Sequence, residues 1–156
     1  MPITPNFHYC RLGAMGWDYA AWNGVFYPED LPVDWRLNYY STQFECVYLP
    51  YAAWHATPLE TLQEWHHTTL EQFRFLLEPP PSPNTDTAPI AALGEKALLV
   101  PQRGPTLLWF DRDTPLKQLA QSLQALEQAS PIYLLSTSGD FTQLEQVQTL
   151  LEVMGY

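Results

Sequence analysis

The chain predicts an α/β fold: a parallel sheet of about five or six strands with flanking helices. Three observations carry this. Short apolar runs suited to buried strands alternate with stretches whose apolar residues recur at helical spacing. The order strand, helix, strand, helix, strand implies parallel pairing through right-handed crossovers. The 156 residues are 46% hydrophobic and 14% aromatic, enough for one sizeable core.

The run 7–13 reads as a first strand that ends at Gly13. Residues 14–32 form a long aromatic loop, which such ring density makes ordered and packed. Asp34 is placed to cap a short helix bearing Trp35, Leu37 and Tyr40, which leads into a strand at 44–50. Thr57, Pro58 and Glu60 read as a capping box with proline at the first helical position. Leu59, Leu62, His66 and Leu70 then share one helical face, and a strand follows at 73–77. Residues 79–95 hold five prolines and read as a loop or mobile insertion. Strands return at 97–100 and 106–110. A helix capped by Thr114 follows, with Leu116, Leu119, Leu123 and Leu126 inward. A strand at 131–136 precedes a last helix that starts near Asp140, buries Phe141, Leu144, Val147, Leu151 and Met154, and stops at Gly155. The expected organisation is one domain over residues 1–156.

Composition excludes several functions. Seven basic against 17 acidic residues leave a net charge of −10, with the cations scattered from Arg11 to Lys117. Such a field repels a phosphate backbone and an anionic bilayer, so no nucleic-acid or membrane partner is expected. The opening MPITPNFHYC lacks a basic and then apolar leader, and no apolar run approaches membrane-spanning length, so the expected location is cytoplasmic. Cys10 and Cys46 lack CxxC spacing and read as buried, reduced thiols.

Candidate chemistry is sparse. His66 and His67 are adjacent on a helix and point about 100° apart, so no metal site is expected. Residues 136–140 join a strand to a helix N-terminus, but Asp140 would use the amide donors itself. Asp111 and Asp113 read as solvated carboxylates at a helix start. Pro80 and Pro83 satisfy PxxP in what reads as a stiff connector. Glu78 directly follows a strand, and parallel sheets gather their sites at strand carboxyl ends.

Taken as a unit, the aromatic loop carries more information. Gly13, Gly16, Trp17, Asp18, Tyr19, Trp22, Gly24, the Phe26-Tyr27-Pro28 step, Leu31-Pro32, Tyr39-Tyr40 and Phe44 together resemble the opening signature of the YecE-like family, domain of unknown function 72. Trp65 with Thr69, Phe73-Arg-Phe75 and Gly104-Pro105-Thr-Leu107 extend the resemblance over most of the chain. It implies an incomplete TIM-barrel-like sheet, with the chain stopping about where a fifth strand and its helix would finish.

The departures from the family pattern shape the functional expectation. Tyr48 and Pro50 stand where the family presents glutamate and asparagine, Glu78 stands where it has lysine, and Met15 replaces a usual serine. The family's E-x-R-H segment falls at Leu134 and Ser136. Loss of these polar groups argues against a working catalytic site. The expected function is therefore a non-catalytic binding or interaction protein with no catalytic residue and no cofactor. The alternative is a small-molecule enzyme using Glu78 with Tyr48 or Asp18 as acid or base. The aromatic loop serves either as retained core packing or as a pocket formed by Trp17, Tyr19, Trp22, Tyr48, Trp54 and Glu78, suited to a neutral or cationic small ligand. An open sheet needs cover, so a homodimer or another protein partner is expected at 106–110 and 131–136, with the proline-rich segment as the alternative cover.

Overall fold

The apolar runs form six strands in a computed structural model that describes residues 10–126 and 131–155. They are β1 (Cys10–Met15), β2 (Cys46–Leu49), β3 (Arg74–Leu77), β4 (Ala97–Leu99), β5 (Leu107–Phe110) and β6 (Ile132–Ser136). All pairings are parallel, in the order β4-β3-β2-β1-β6-β5. The helices are α1 (Arg36–Gln43), α2 (Tyr51–His55), α3 (Leu59–Thr68), α4 (Thr87–Leu93), α5 (Leu116–Leu126) and α6 (Phe141–Met154).

Both faces of the sheet are buried, which is why the strands read as unbroken apolar runs. One face carries Leu12, Val47, Phe75 and Leu134 into a core shared with Leu37, Leu62, Leu123 and Val147 of the helices. The other face gathers Met15, Tyr48, Leu76, Leu98, Trp109 and Leu135, one from each strand, into a second cluster. Tyr48 and Trp109 lie three strands apart in the order, a separation of roughly 14 Å in a flat sheet. Their ring centroids are 5.2 Å apart, so the sheet curls around this inner cluster.

The strand order is chain order read around a ring and broken between β4 and β5. This is an incomplete TIM-barrel-like sheet, as the resemblance implies. The position of the break differs from expectation: the last strand lies beside the first, as in a closed barrel, and the gap is internal. The connector 100–106 spans that gap without a helix. Tyr48 donates to the Val100 carbonyl at 2.9 Å, and the Trp109 indole donates to Gln102 at 2.7 Å, so inner-face residues from both sides hold it.

The aromatic loop is packed core at its centre. Trp22 is fully buried, stacks on Tyr40 at 6.0 Å and donates to the Gly139 carbonyl at 2.7 Å. Tyr40 in turn bridges two strands, accepting from the Ala14 amide at 2.9 Å and donating to the Cys46 carbonyl at 2.7 Å. Gly13 permits this close approach, since a Cβ there would lie 2.1 Å from the Cys46 carbonyl oxygen.

Local expectations are corrected in five places. The Thr57 hydroxyl donates back to Ala53 at the end of α2, so α3 starts after Pro58 without a side-chain cap. Asp34 lies in a preceding short turn and makes no cap for α1, while the Thr114 hydroxyl engages Asp111. On α3 the buried side is Leu62 with Trp65, Leu59 and Leu70 being exposed, because the helix lies on β3 through its Trp65 face. Residues 79–95 are half helical, since Ile90 and Leu93 give α4 an apolar side that packs into the core. Asp140 caps α6 by accepting from Gln143, Gly155 ends it, and Cys10 and Cys46 are buried free thiols. Phe7 to Tyr9 of the first expected strand and the side chain of Leu126 lie outside the described residues.

Candidate functional site

Parallel barrels build their sites at the carboxyl ends of the strands. Here β1 runs into Gly16-Trp17-Asp18-Tyr19, β2 into α2, β3 into Glu78 and β6 into residues 137–140. The glycine at 16 has φ of +76°, which turns the chain at the end of β1, and Trp17 beyond it packs on the core shared by sheet and helices. Trp17 meets Trp65 of α3 edge to face with centroids 4.8 Å apart. Beside this contact, Met15, Gly16, Tyr19 and Leu49 join the two indoles in lining a hollow of about 380 Å³. Tyr19 is fixed by its hydroxyl, which donates to the Met15 carbonyl.

The six residues nominated by sequence divide into separate groups. Trp17 and Tyr19 line this hollow. Trp22 lies beneath the loop on the α6 side. Tyr48 points into the curled sheet, where burial first and the Glu78 carboxylate second push its hydroxyl up to about 12. Trp54 is fully buried, its indole donating to the Glu78 carbonyl at 3.0 Å. Glu78 Oε1 accepts from the Tyr51 amide at 2.8 Å.

Asp18, the other acid weighed, ion-pairs with Arg36 at the rim. Among the described residues, no group of three His, Cys, Asp or Glu side chains is placed to hold a metal ion.

Trp65 is the lining residue that periodicity alone does not mark as a site residue, because its spacing from Leu62 reads simply as a core face. A second cluster also escaped sequence reading. Asp86 accepts from the Tyr51 hydroxyl at 2.8 Å and lies 2.6 Å from His55 Nδ1, with the Tyr51 and His55 rings stacked at 4.7 Å. Burial alone would raise the Asp86 carboxyl, but these hydrogen bonds hold it below its ordinary value. This cluster ties α2, one wall of the hollow, to the segment after β3.

In comparison with known proteins, the family model described as "Protein of unknown function DUF72" matches residues 11–154. No curated protein matches the chain, and no solved structure does. No described helix is long and apolar enough to cross a membrane.

Proposed function

The chain belongs to the DUF72 family, and we propose that it acts as a binding protein rather than a catalyst, taking a neutral or cationic small molecule in the hollow lined by Trp17, Tyr19 and Trp65. The observation that carries this reading is the hollow itself, a shallow, open, ring-lined depression at the carboxyl ends of β1 and β2, the end where parallel sheets gather their sites. Support for a non-catalytic role comes from the two groups best placed for acid or base work. Glu78 commits an oxygen to the Tyr51 amide, and the Tyr48 hydroxyl is raised and committed to Val100. Trp22, Tyr48, Trp54 and Glu78 then serve as the frame that holds the ligand-facing rings. The buried thiols Cys10 and Cys46 suit a reducing, cytoplasmic setting.

A fragment screen by saturation-transfer NMR tests the reading, run on the native protein and on Trp65→Ala. Binders lost in the variant support it, whereas binders indifferent to Trp65 contradict the location. Turnover of any substrate abolished by Glu78→Gln would favour the enzymatic alternative.

A second reading concerns partners. Of the two segments expected to meet a partner, 132–136 is β6, buried and paired on both sides, so it offers no contact surface; among the described residues β4 and β5 each leave one edge unpaired, and Leu99 on β4 is 47% exposed. We propose that a second copy, or another protein, covers this side. Light scattering across a dilution series reads it, and a monomer at all concentrations without a co-purifying protein contradicts it.

A further inference from the structure

At the amino end of the sheet, opposite the hollow, the inner face turns from apolar to cationic. Inward positions alternate along each strand, so those that precede Met15, Tyr48, Leu76 and Leu135 on this face are Gly13 and Arg11, Cys46, Arg74 and Tyr133. Parallel register sets Arg11 beside Tyr133 and Arg74 beside Cys46. We propose that Arg11, Arg74 and Tyr133 form a binding site for a small phosphate dianion, either the free ion or a phosphomonoester. The site is separate from the hollow and does not depend on it.

The two guanidiniums converge on one turn. Arg11 Nη1 donates to the Gln72 carbonyl at 3.1 Å, and Arg74 Nη1 donates to the Glu71 and Phe73 carbonyls at 3.0 and 2.9 Å. Two cations therefore share the carbonyls of three successive residues. Like charges held this way repel one another, and neither arginine forms an ion pair with a described carboxylate. Glu45 and Glu71, which flank this end of β2 and β3, are exposed.

Donors here outnumber acceptors. Arg11 Nε is buried without an acceptor. Tyr133 is 7% exposed, and its hydroxyl makes no hydrogen bond among the described residues. Burial first, and Cys46 with it, raises that hydroxyl, while Arg11 and Arg74 both lower it, so the two guanidiniums act on one oxygen. Arginine offers five N–H donors and no acceptor, in a planar fork that fits phosphate oxygens. Two positive charges and a hydroxyl, drawn from three strands, match a tetrahedral dianion, whereas a carboxylate satisfies a single guanidinium. The net charge of −10 opposes anions at long range, but physiological salt confines each field to about 8 Å, so the unpaired arginines set the local potential. Both arginines are half-buried, which leaves the site open to solvent.

The test is calorimetry and phosphorus NMR of the full chain with inorganic phosphate and with glycerol 3-phosphate. The native protein is compared with Arg11→Gln, Arg74→Gln and Tyr133→Phe, and with Arg103→Gln on the exposed connector as the charge-matched control. Phosphate is expected to bind, to weaken as salt is raised, and to lose about tenfold in affinity in each of Arg11→Gln and Arg74→Gln. The loss is expected to be smaller in Tyr133→Phe and absent in Arg103→Gln. Tyr133→Phe removes only a hydroxyl, so it carries the test if an arginine variant fails to fold. Tighter binding of glycerol 3-phosphate than of phosphate identifies a phosphomonoester as the occupant, and the reverse order identifies the free ion. No binding of either compound at about 10 mM overturns the proposal. Affinity that is unchanged in all three site variants, or that falls equally in Arg103→Gln, overturns it as well.

Discussion

Glu78 Oε1 accepts the amide hydrogen of Tyr51 at 2.8 Å, so the carboxylate that ends β3 caps the first turn of α2. Its own carbonyl takes the Trp54 indole at 3.0 Å. A carboxylate used this way sets the position of α2, one wall of the hollow, and that role can be separated from chemistry.

Glu78→Ala should therefore cost about 1 kcal/mol, the usual loss of a helix cap, while Glu78→Gln, which keeps an acceptor oxygen, should cost less. Urea denaturation of both variants checks this. Equal losses would show that charge, not the cap, is what Glu78 contributes.

Trp22 is fully buried with rings of Tyr40, Phe44 and Phe141 about it. Trp22→Ala should destabilise by about 3–5 kcal/mol through cavity formation. Trp22→Phe should cost less but leave the Gly139 carbonyl without its indole donor. A Trp22→Ala protein of native stability would mean that the loop is not core.

These two residues show what the sequence disclosed. The α/β class, all six strands and the burial of Leu144, Val147 and Leu151 on α6 were legible, because apolar runs and helical spacing report burial directly. The caps at Thr57 and Thr114 were misread because proline follows each hydroxyl and the helix begins only beyond it. The internal break was invisible, since strand order arises from pairing between distant segments such as Cys10 with Ile132. Position after a strand marked Glu78 and the loop rings. It could not show that Trp22, Tyr48 and Trp54 point inward while Trp17 and Trp65 meet at the surface.

Gly139 has φ of +69°, and a Cβ there would lie 2.4 Å from the Tyr19 ring. Gly139→Ala combines an unfavourable backbone conformation with displacement of a ring that lines the hollow, so a loss of about 2 kcal/mol or more is expected. Thermal unfolding measures it, and a stability change under about 0.5 kcal/mol would contradict the packing described.

Asp140 is held below its ordinary carboxyl value of 3.8 by the Gln143 amide first and by Arg112 as a further contribution. Its folded pKa is the lower one, so its stabilisation is present above pH 3.8 and is lost as pH falls through the folded value. Asp140→Asn keeps a good capping residue at neutral pH but should flatten the acid limb of the stability profile. An unchanged slope between pH 5 and the acid midpoint would sink this assignment.

A small molecule is expected in the hollow beside the Trp17–Trp65 contact, at the carboxyl ends of β1 and β2. Native mass spectrometry of the purified chain, compared with its denatured mass and with Trp65→Ala, tests it most directly. Excess mass is expected on the folded protomer, disappearing on denaturation and diminished in the variant. A native protein that carries no excess mass and gains none when offered neutral and cationic compounds would contradict it.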